Sequence, residues 1–292
     1  MDIEALKAFR FVVELGSISV AAERLNYSQS NVTMKIHKLE EQLQTKLLYR
    51  HNRGCSVTPK GEELYHYAIQ IFKTMELAEN AMQNQENPTG SLLIGSMETT
   101  AAIHLPSILS NYCTMYPNVE LNLQTNPTAI LIDKVLNYEL DGAFISGPIQ
   151  HSLLQSKTVF VEEMVLIYPG QIKEVSIESS NILVFRIGCS YRFQLEKYLR
   201  HQKIKSYRIM ELGSLEAILG CVAAGLGITL LPRSVYERYA RYYELQFVAL
   251  PKEFSFIETQ FISHLDNPSI SLLHFKKMIP ILNATIKNDG VS

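Results

Sequence analysis

Residues 17–43 read SISVAAERLNYSQSNVTMKIHKLEEQL, and their caps, turn and periodicity set the architecture of the N-terminal module. Ser17 and Ser19 are helix-capping residue types. Ala21, Ala22 and Leu25 fall on one face of the helix expected over 20–25, where small alanines let a neighbouring helix approach closely. Asn26-Tyr27-Ser28 is a short turn ending in another cap, and Val32, Ile36, Leu39 and Leu43 then recur along one face of a helix over 29–43. Two helices joined by a turn of about three residues form a helix-turn-helix, whose second helix lies in the DNA major groove. Its outward face carries Gln29, Ser30, Asn31, Thr33, Met34, Lys35, His37 and Lys38. Amides and hydroxyls both donate to and accept from base edges, and lysines reach phosphates. A solvated helix face shows the same residues singly. The order of cap, small residues, turn, cap and basic face is what separates the two readings.

Upstream, Asp2 can cap a first helix carrying Leu6, Phe9, Val12 and Val13 at helical spacing, with Gly16 as its left-handed stop. Downstream, residues 46–58 are two short extended pieces around an Asn52-Arg53-Gly54 tip, a hairpin signal. A basic hairpin beside a recognition helix is a wing, and arginine there suits the narrow minor groove or its phosphates. The expected DNA contacts are Ser28, Gln29, Ser30, Asn31, Thr33, Lys35, Lys38, Arg50 and Arg53.

The net charge of -2 conceals an asymmetry. Residues 1–60 carry +3 and the remainder -5, so a small basic module precedes a larger acidic one. That is the electrostatic footprint of a polyanion binder. With 292 residues, 47% of them hydrophobic, the chain can build about two domains with real cores. No apolar run approaches the roughly 20 residues of a membrane span. Cys55, Cys113, Cys189 and Cys221 lie far apart with no C-x-x-C pair, which points to reduced thiols in the cytosol.

Thr58-Pro59 opens a long helix. Leu64, Ala68, Ile71, Met75, Ala78 and Met82 alternate spacings of four and three, an a/d seam that favours self-pairing over packing on its own domain. Asn84 to Gly90 is a polar linker holding Pro88. The expected boundaries are 1–58 for the winged module, 59–90 for the linker helix and hinge, and 91–292 for the large module.

In the large module strand-like runs alternate with helical ones, which predicts βαβ units and a mostly parallel sheet. Ligands of open α/β sheets bind beyond the carboxyl ends of strands. Four segments qualify, and they carry Glu98, Thr99 and Thr100, then Thr128, then Ser146, then Ser190 and Arg192. The hydroxyls read either as anion ligands at helix N-termini or as plain caps. Arg192 would add a bidentate partner for a carboxylate or phosphate, and Glu98 would pair with Arg192 or meet an ammonium group.

The chain resembles the LysR-type transcriptional regulators. The resemblance rests on Ser17 to Leu25, on Ser28-Gln29, on Leu39-Glu40-x-x-Leu43 and on Thr58-Pro59-Lys60-Gly61-Glu62. In the large module it rests on Gly90-x-Leu92-x-Ile94-Gly95, Tyr116-Pro117, Leu140-Asp141-Gly142 and Val222 to Pro232. Departures are Ser30 at a usual proline, Met34 and His37 at frequent arginines, and Gln44 at a common glycine. The resemblance implies an all-α winged helix-turn-helix with a dimerising linker helix. It also implies a C-terminal α/β domain of two lobes like those of periplasmic solute-binding proteins. The lobes are expected at 91–161 with 266–292, and at 162–265, with chain crossings near 160–162 and 261–266. An effector would sit between them, and Thr99, Thr100 and Thr128 fall where the family contacts it.

Enzyme signatures do not emerge. There is no G-x-S-x-G elbow or P-loop, and Gly225-Leu-Gly227 lies after a helix and before a strand, the reverse of a dinucleotide site. The eight histidines show no metal spacing, and Cys189 has no visible partnering base. The expected protein is a cytoplasmic, homodimeric or homotetrameric regulator without catalytic residues, metal or cofactor. Its expected partners are promoter DNA, a small-molecule effector for which an anion fits, and RNA polymerase, with no membrane. The competing reading is a metabolite-binding protein or enzyme whose N-terminal helices only oligomerise. The basic wing speaks against it, because oligomerisation does not need one.

Overall fold

The computed structural model describes residues 1–51, 54–82, 88–172, 176–178, 180–204, 206–267 and 269–280. The chain divides into two compact units, Met1–Gln85 and Glu86–Ser292.

The first unit holds α1 (Ile3–Leu15), α2 (Ile18–Arg24), α3 (Gln29–Leu43), the hairpin β1 (Leu48–His51) and β2 (Gly54–Val57), and α4 (Pro59–Met82). The expected caps form. Asp2 accepts from the Glu4 amide, Ser17 from Val20 and Ser28 from Asn31. Gly16 stops α1 at φ +64°, and its carbonyl receives the Cys55 amide at 3.0 Å, which docks the wing on the α1–α2 turn. A Cβ at Gly54 would stand 2.5 Å from that same carbonyl, so only glycine fits there. Leu6, Phe9, Val12, Ala21, Ala22, Val32, Ile36 and Leu39 form the core with Leu47, Leu48 and Ala68. Leu43, expected on the inward face, is 38% exposed, because the last turn of α3 runs past the core. Gln44 ends the helix at φ +52°, a left-handed position that costs a residue with a Cβ roughly 1 kcal/mol.

The second unit contains two sheets joined by one strand. Strand β3 (Gly90–Ser96) pairs in parallel with β4 (Val119–Thr125) and β5 (Gly142–Ser146). Between these strands lie α5 (Glu98–Ile103), α6 (Leu105–Met115) and α7 (Thr128–Leu136). Residues 98–115 form two helices instead of one, because Pro106 sits in the first turn of a new helix after His104. Strand β6 (Leu154–Pro169) runs from the first sheet into the second. Up to Glu163 it pairs with β11 (Phe256–His264), and from Met164 onward with β9 (Thr229–Pro232) and β10 (Leu245–Ala249). Strands β7 (Asn181–Val184) and β8 (Arg208–Glu211) pair in parallel beside β9, to which Ile182–Ile228 forms a bridge. Helices α8 (Ser190–His201), α9 (Leu215–Ala223) and α10 (Arg233–Tyr239) complete the lobe built on the second sheet, lobe II, and α11 (Ile270–Met278) returns to the lobe of the first sheet, lobe I.

Two expectations need correction. The sheets are mixed, because β6 pairs antiparallel with β9, β10 and β11, and β5 does so with β11. The first crossing lies at Glu163/Met164, close to the expected place. The second precedes Phe256 instead of falling at 261–266, because all of β11 pairs within the first sheet. Phe144, Phe261 and Phe275 pack there against Leu92, Ile94 and Tyr112, and β11 must stay in lobe I to bury its share.

Candidate functional site

On α3, Gln29, Ser30, Thr33, Met34, His37, Lys38 and Glu41 line one shallow concave surface. These are two adjacent rows of i, i+4 neighbours along the helix. The capping Ser28 also lies 3.0 Å from the Ser30 hydroxyl. Lys38 is exposed and has no ion-pair partner among the described residues, whereas His37 lies 3.3 Å from Glu41. Asn31 and Lys35 sit on the half-buried flank. Lys35 lies 5.5 Å over the Tyr27 ring and 3.9 Å from Asp2, so its expected role at a phosphate competes with contacts inside its own domain. Arg50 is exposed on β1, and Arg53 lies outside the described residues.

The wing is held to α3 by a residue that sequence reasoning used only as part of a motif. Glu40 is buried, and its carboxylate accepts from the amides of Leu47 at 2.9 Å and Leu48 at 3.3 Å and from Lys46 at 3.0 Å. Burial alone would push this carboxyl up. The Leu47 amide, the Lys46 ammonium and the Leu48 amide outweigh it and hold the carboxyl below its usual range. The signal in the sequence was a glutamate on the apolar face of α3, beside Leu39.

The seam of α4 divides. Ala68 is fully buried in the core of its own unit, and Leu64 and Ile71 pack against that core. This half of the expected self-pairing stripe is therefore taken up by its own domain, because α1 covers it. Met75, Ala78 and Met82 are exposed.

In the second unit, Met97, Glu98, Thr99, Asn126, Thr128, Arg186, Ser190 and neighbours enclose a cavity of about 240 Å3 between the lobes. A wider groove of about 1130 Å3 runs along Thr128, Ser146, Ser190 and Arg192. Thr128 and Ser190 line both spaces, and their hydroxyls are 3.4 Å apart. The structure thus brings Glu98, Thr99, Thr128 and Ser190 to the cavity, and places Ser146 and Arg192 on the groove. Thr100 lines neither. It is fully buried, and its hydroxyl has no hydrogen-bond partner among the described residues.

The charges do not serve as expected. Arg192 donates to Glu196 at 3.0 Å and Glu211 at 2.8 Å, and the Glu196 bond is the main cause that raises its pKa. Glu98 neither pairs with Arg192 nor stands free: it accepts the Leu215 amide at 2.7 Å, capping α9 of the opposite lobe. Thr99 bonds the buried Tyr191 hydroxyl at 2.6 Å, and burial pushes that phenol far up. None of Thr128, Ser190 and Thr99 caps its own helix, so the plain-cap reading does not hold for them. Thr128 instead accepts the Ser146 amide at 3.2 Å. The cation that lines the cavity is Arg186, an exposed residue with no ion-pair partner among the described residues. Asn126 lies in the segment that the sequence singled out for Thr128, whereas Arg186, in the loop after β7 and ahead of the segment holding Ser190 and Arg192, was not singled out.

Where β6 crosses, His104 stacks on Phe160 with centroids 4.1 Å apart and its Nε2 lies 2.9 Å from Glu162. Ser234 of lobe II donates a short hydrogen bond to Glu162. Burial pushes the Cys189 thiol up, which disfavours the thiolate that nucleophilic chemistry needs. Among the described residues no cluster of His, Cys, Asp and Glu could hold a metal, and no helix is long and apolar enough to cross a membrane.

Comparison with known proteins gives consistent matches for both units. The bacterial regulatory helix-turn-helix model of the lysR family matches residues 3–62, and the LysR substrate binding domain model matches residues 85–278. The HTH-type transcriptional regulator GltR of Bacillus subtilis (strain 168) is 48% identical over 270 residues, spanning 91% of this chain and 91% of that protein. The HTH-type transcriptional regulator YofA of Bacillus velezensis is 42% identical over 269 residues, spanning 91% and 93%. A full-length single-substitution variant of OxyR from Pseudomonas aeruginosa superposes with a TM-score of 0.75 at 22% identity, covering 96% of this chain and 94% of that one. Full-length CbnR complexed with its target DNA gives 0.68 at 20%, covering 96% and 99%. At these identities the likeness to solved structures speaks for the fold.

Proposed function

This chain belongs to the LysR family of DNA-binding transcriptional regulators with an effector-binding domain, and we propose how its own residues carry those two tasks. It reads operator bases through Gln29, Ser30 and Thr33 and holds phosphates with Lys38 and Arg50. One observation carries this. Apart from Met34 the α3 stripe carries polar side chains on a shallow concave surface, with Lys38 exposed and unpaired among the described residues. Selection from a random DNA pool, with and without candidate metabolites, supplies the operator for the test. Arg50→Ala should weaken binding to all sequences and lower the salt slope by about one. Gln29→Ala should relax base preference at one position per half-site, by roughly 1–3 kcal/mol. Unchanged gel-shift titrations for both variants would remove the assignment.

The protein acts as a cytosolic homo-oligomer on two half-sites. The exposed Met75, Ala78 and Met82 of α4 support pairing through the distal half of that helix. Met75→Asp would place an unpaired charge in that interface, at a cost of several kcal/mol. Sedimentation should then show a smaller or looser species, with weaker binding to a two-half-site operator. An association state equal to the parent's would put the interface elsewhere.

The effector is a small anion. The cavity is smaller than the roughly 300–1,000 Å3 typical of drug-sized ligands. Arg186, Asn126 and Ser190 offer donors, and Glu98 is engaged at α9. A ligand shifts a two-state regulator only by binding its states differently. Three hydrogen bonds between the lobes, Glu98–Leu215, Thr99–Tyr191 and Thr128–Ser190, border the cavity, so lobe opening would dismantle it.

A further inference from the structure

The polar face of α3 has an apolar side chain at its centre. Met34 is 51% exposed, in the row Ser30–Met34–Lys38 and beside the row Gln29–Thr33–His37. It does not belong to the core that α3 helps to build. A large apolar group left in water amid hydrogen-bonding neighbours gains only if something apolar covers it.

The same face holds no arginine, so α3 lacks the fork that reads guanine O6 and N7. Its cations are also few. Lys35 is drawn over Tyr27 and Lys38 stands at the far end of the row. What remains is the Gln29 amide, with Asn31 on the flank, which suit adenine, two hydroxyls that suit any base, and Met34. In the major groove the one apolar feature on a base edge is the C5-methyl of thymine. Methionine is flexible enough to settle on it without a fixed rotamer.

We propose that Met34 is a specificity-determining residue, packing its side chain on a thymine methyl in each half-site and fixing an A·T pair there. This rests on the reading of α3 as the base-reading helix.

The test uses the full chain and its selected operator. Each thymine of one half-site is replaced in turn by deoxyuridine, which removes the methyl and keeps every hydrogen-bonding atom. One replacement should weaken the parent about three- to tenfold in gel-shift titration, the worth of one buried methyl. Met34→Ala should lose a similar factor on the thymine operator and show no further loss on that deoxyuridine operator. Met34→Leu should keep the discrimination. Circular dichroism of both variants should match the parent, since the side chain is exposed. A parent with no uracil-sensitive thymine in the half-site overturns the methyl contact, and so does a uracil penalty that persists in full in Met34→Ala. Either result leaves the operator reading standing as long as Gln29→Ala still relaxes base preference, so the two failures are distinguishable.

Discussion

Glu40→Ala should destabilise the first unit by about 2–4 kcal/mol, since it leaves the amides of Leu47 and Leu48 buried without their acceptor. The loss falls where α3 meets the wing, so it should loosen the placement of Arg50 as well as the fold. Hydrogen exchange in the full chain checks this. Opening free energies of core amides in α1–α3 should drop together, with Leu47 and Leu48 exchanging fastest. Glu40→Gln keeps one carbonyl acceptor and should lose less. The pH dependence has a definite sign. The carboxyl's folded-state pKa is lowered, so its stabilisation is complete above the unfolded value near 4.5 and fades as pH falls through the folded value. Protection that is equal in Glu40→Ala and the parent would show that the wing is held by its apolar contacts alone.

Arg186→Ala should cost about ten- to a hundredfold in affinity for a carboxylate effector, the worth of one charge-assisted hydrogen bond. Arg192→Ala should leave that affinity unchanged, because its guanidinium is already committed to Glu196 and Glu211. Calorimetry of parent and variants against a panel of small mono- and dicarboxylates reads both effects. The reverse pattern, with Arg192 essential and Arg186 silent, would move the site from the cavity to the groove. Equal affinity in all three would remove the anion assignment. Operator affinity without effector should stay at the parent's level in both variants.

The contrast between the two arginines shows where reading the sequence stops. Helix caps, turns and apolar periodicities join residues a few positions apart, and their physics is complete within a short segment. Asp2, Ser17 and Ser28 cap as expected, Gly16 stops α1, and the wing lies between α3 and α4. The winged module and the α/β character of the second unit were therefore legible from spacing alone. Charges and long strands choose partners through space. Glu98 finds the Leu215 amide 117 positions away, and Arg192 finds Glu211 across 19. Nothing local predicts either choice. The same holds for β6, whose 16 residues change sheet without a turn signal, although residues 155–157 are exposed and Met164 to Pro169 are all buried. In α4 one stripe met every requirement of a self-pairing seam. Only the packing of α1 decided that Ala68 is spent inside its own domain while Met75 and Met82 are left uncovered by it. Short-range spacing and capping thus dictate most elements and the face each presents, with Leu43 and the break at His104 as exceptions. Which charged and apolar groups remain unsatisfied depends on neighbours brought together only by folding.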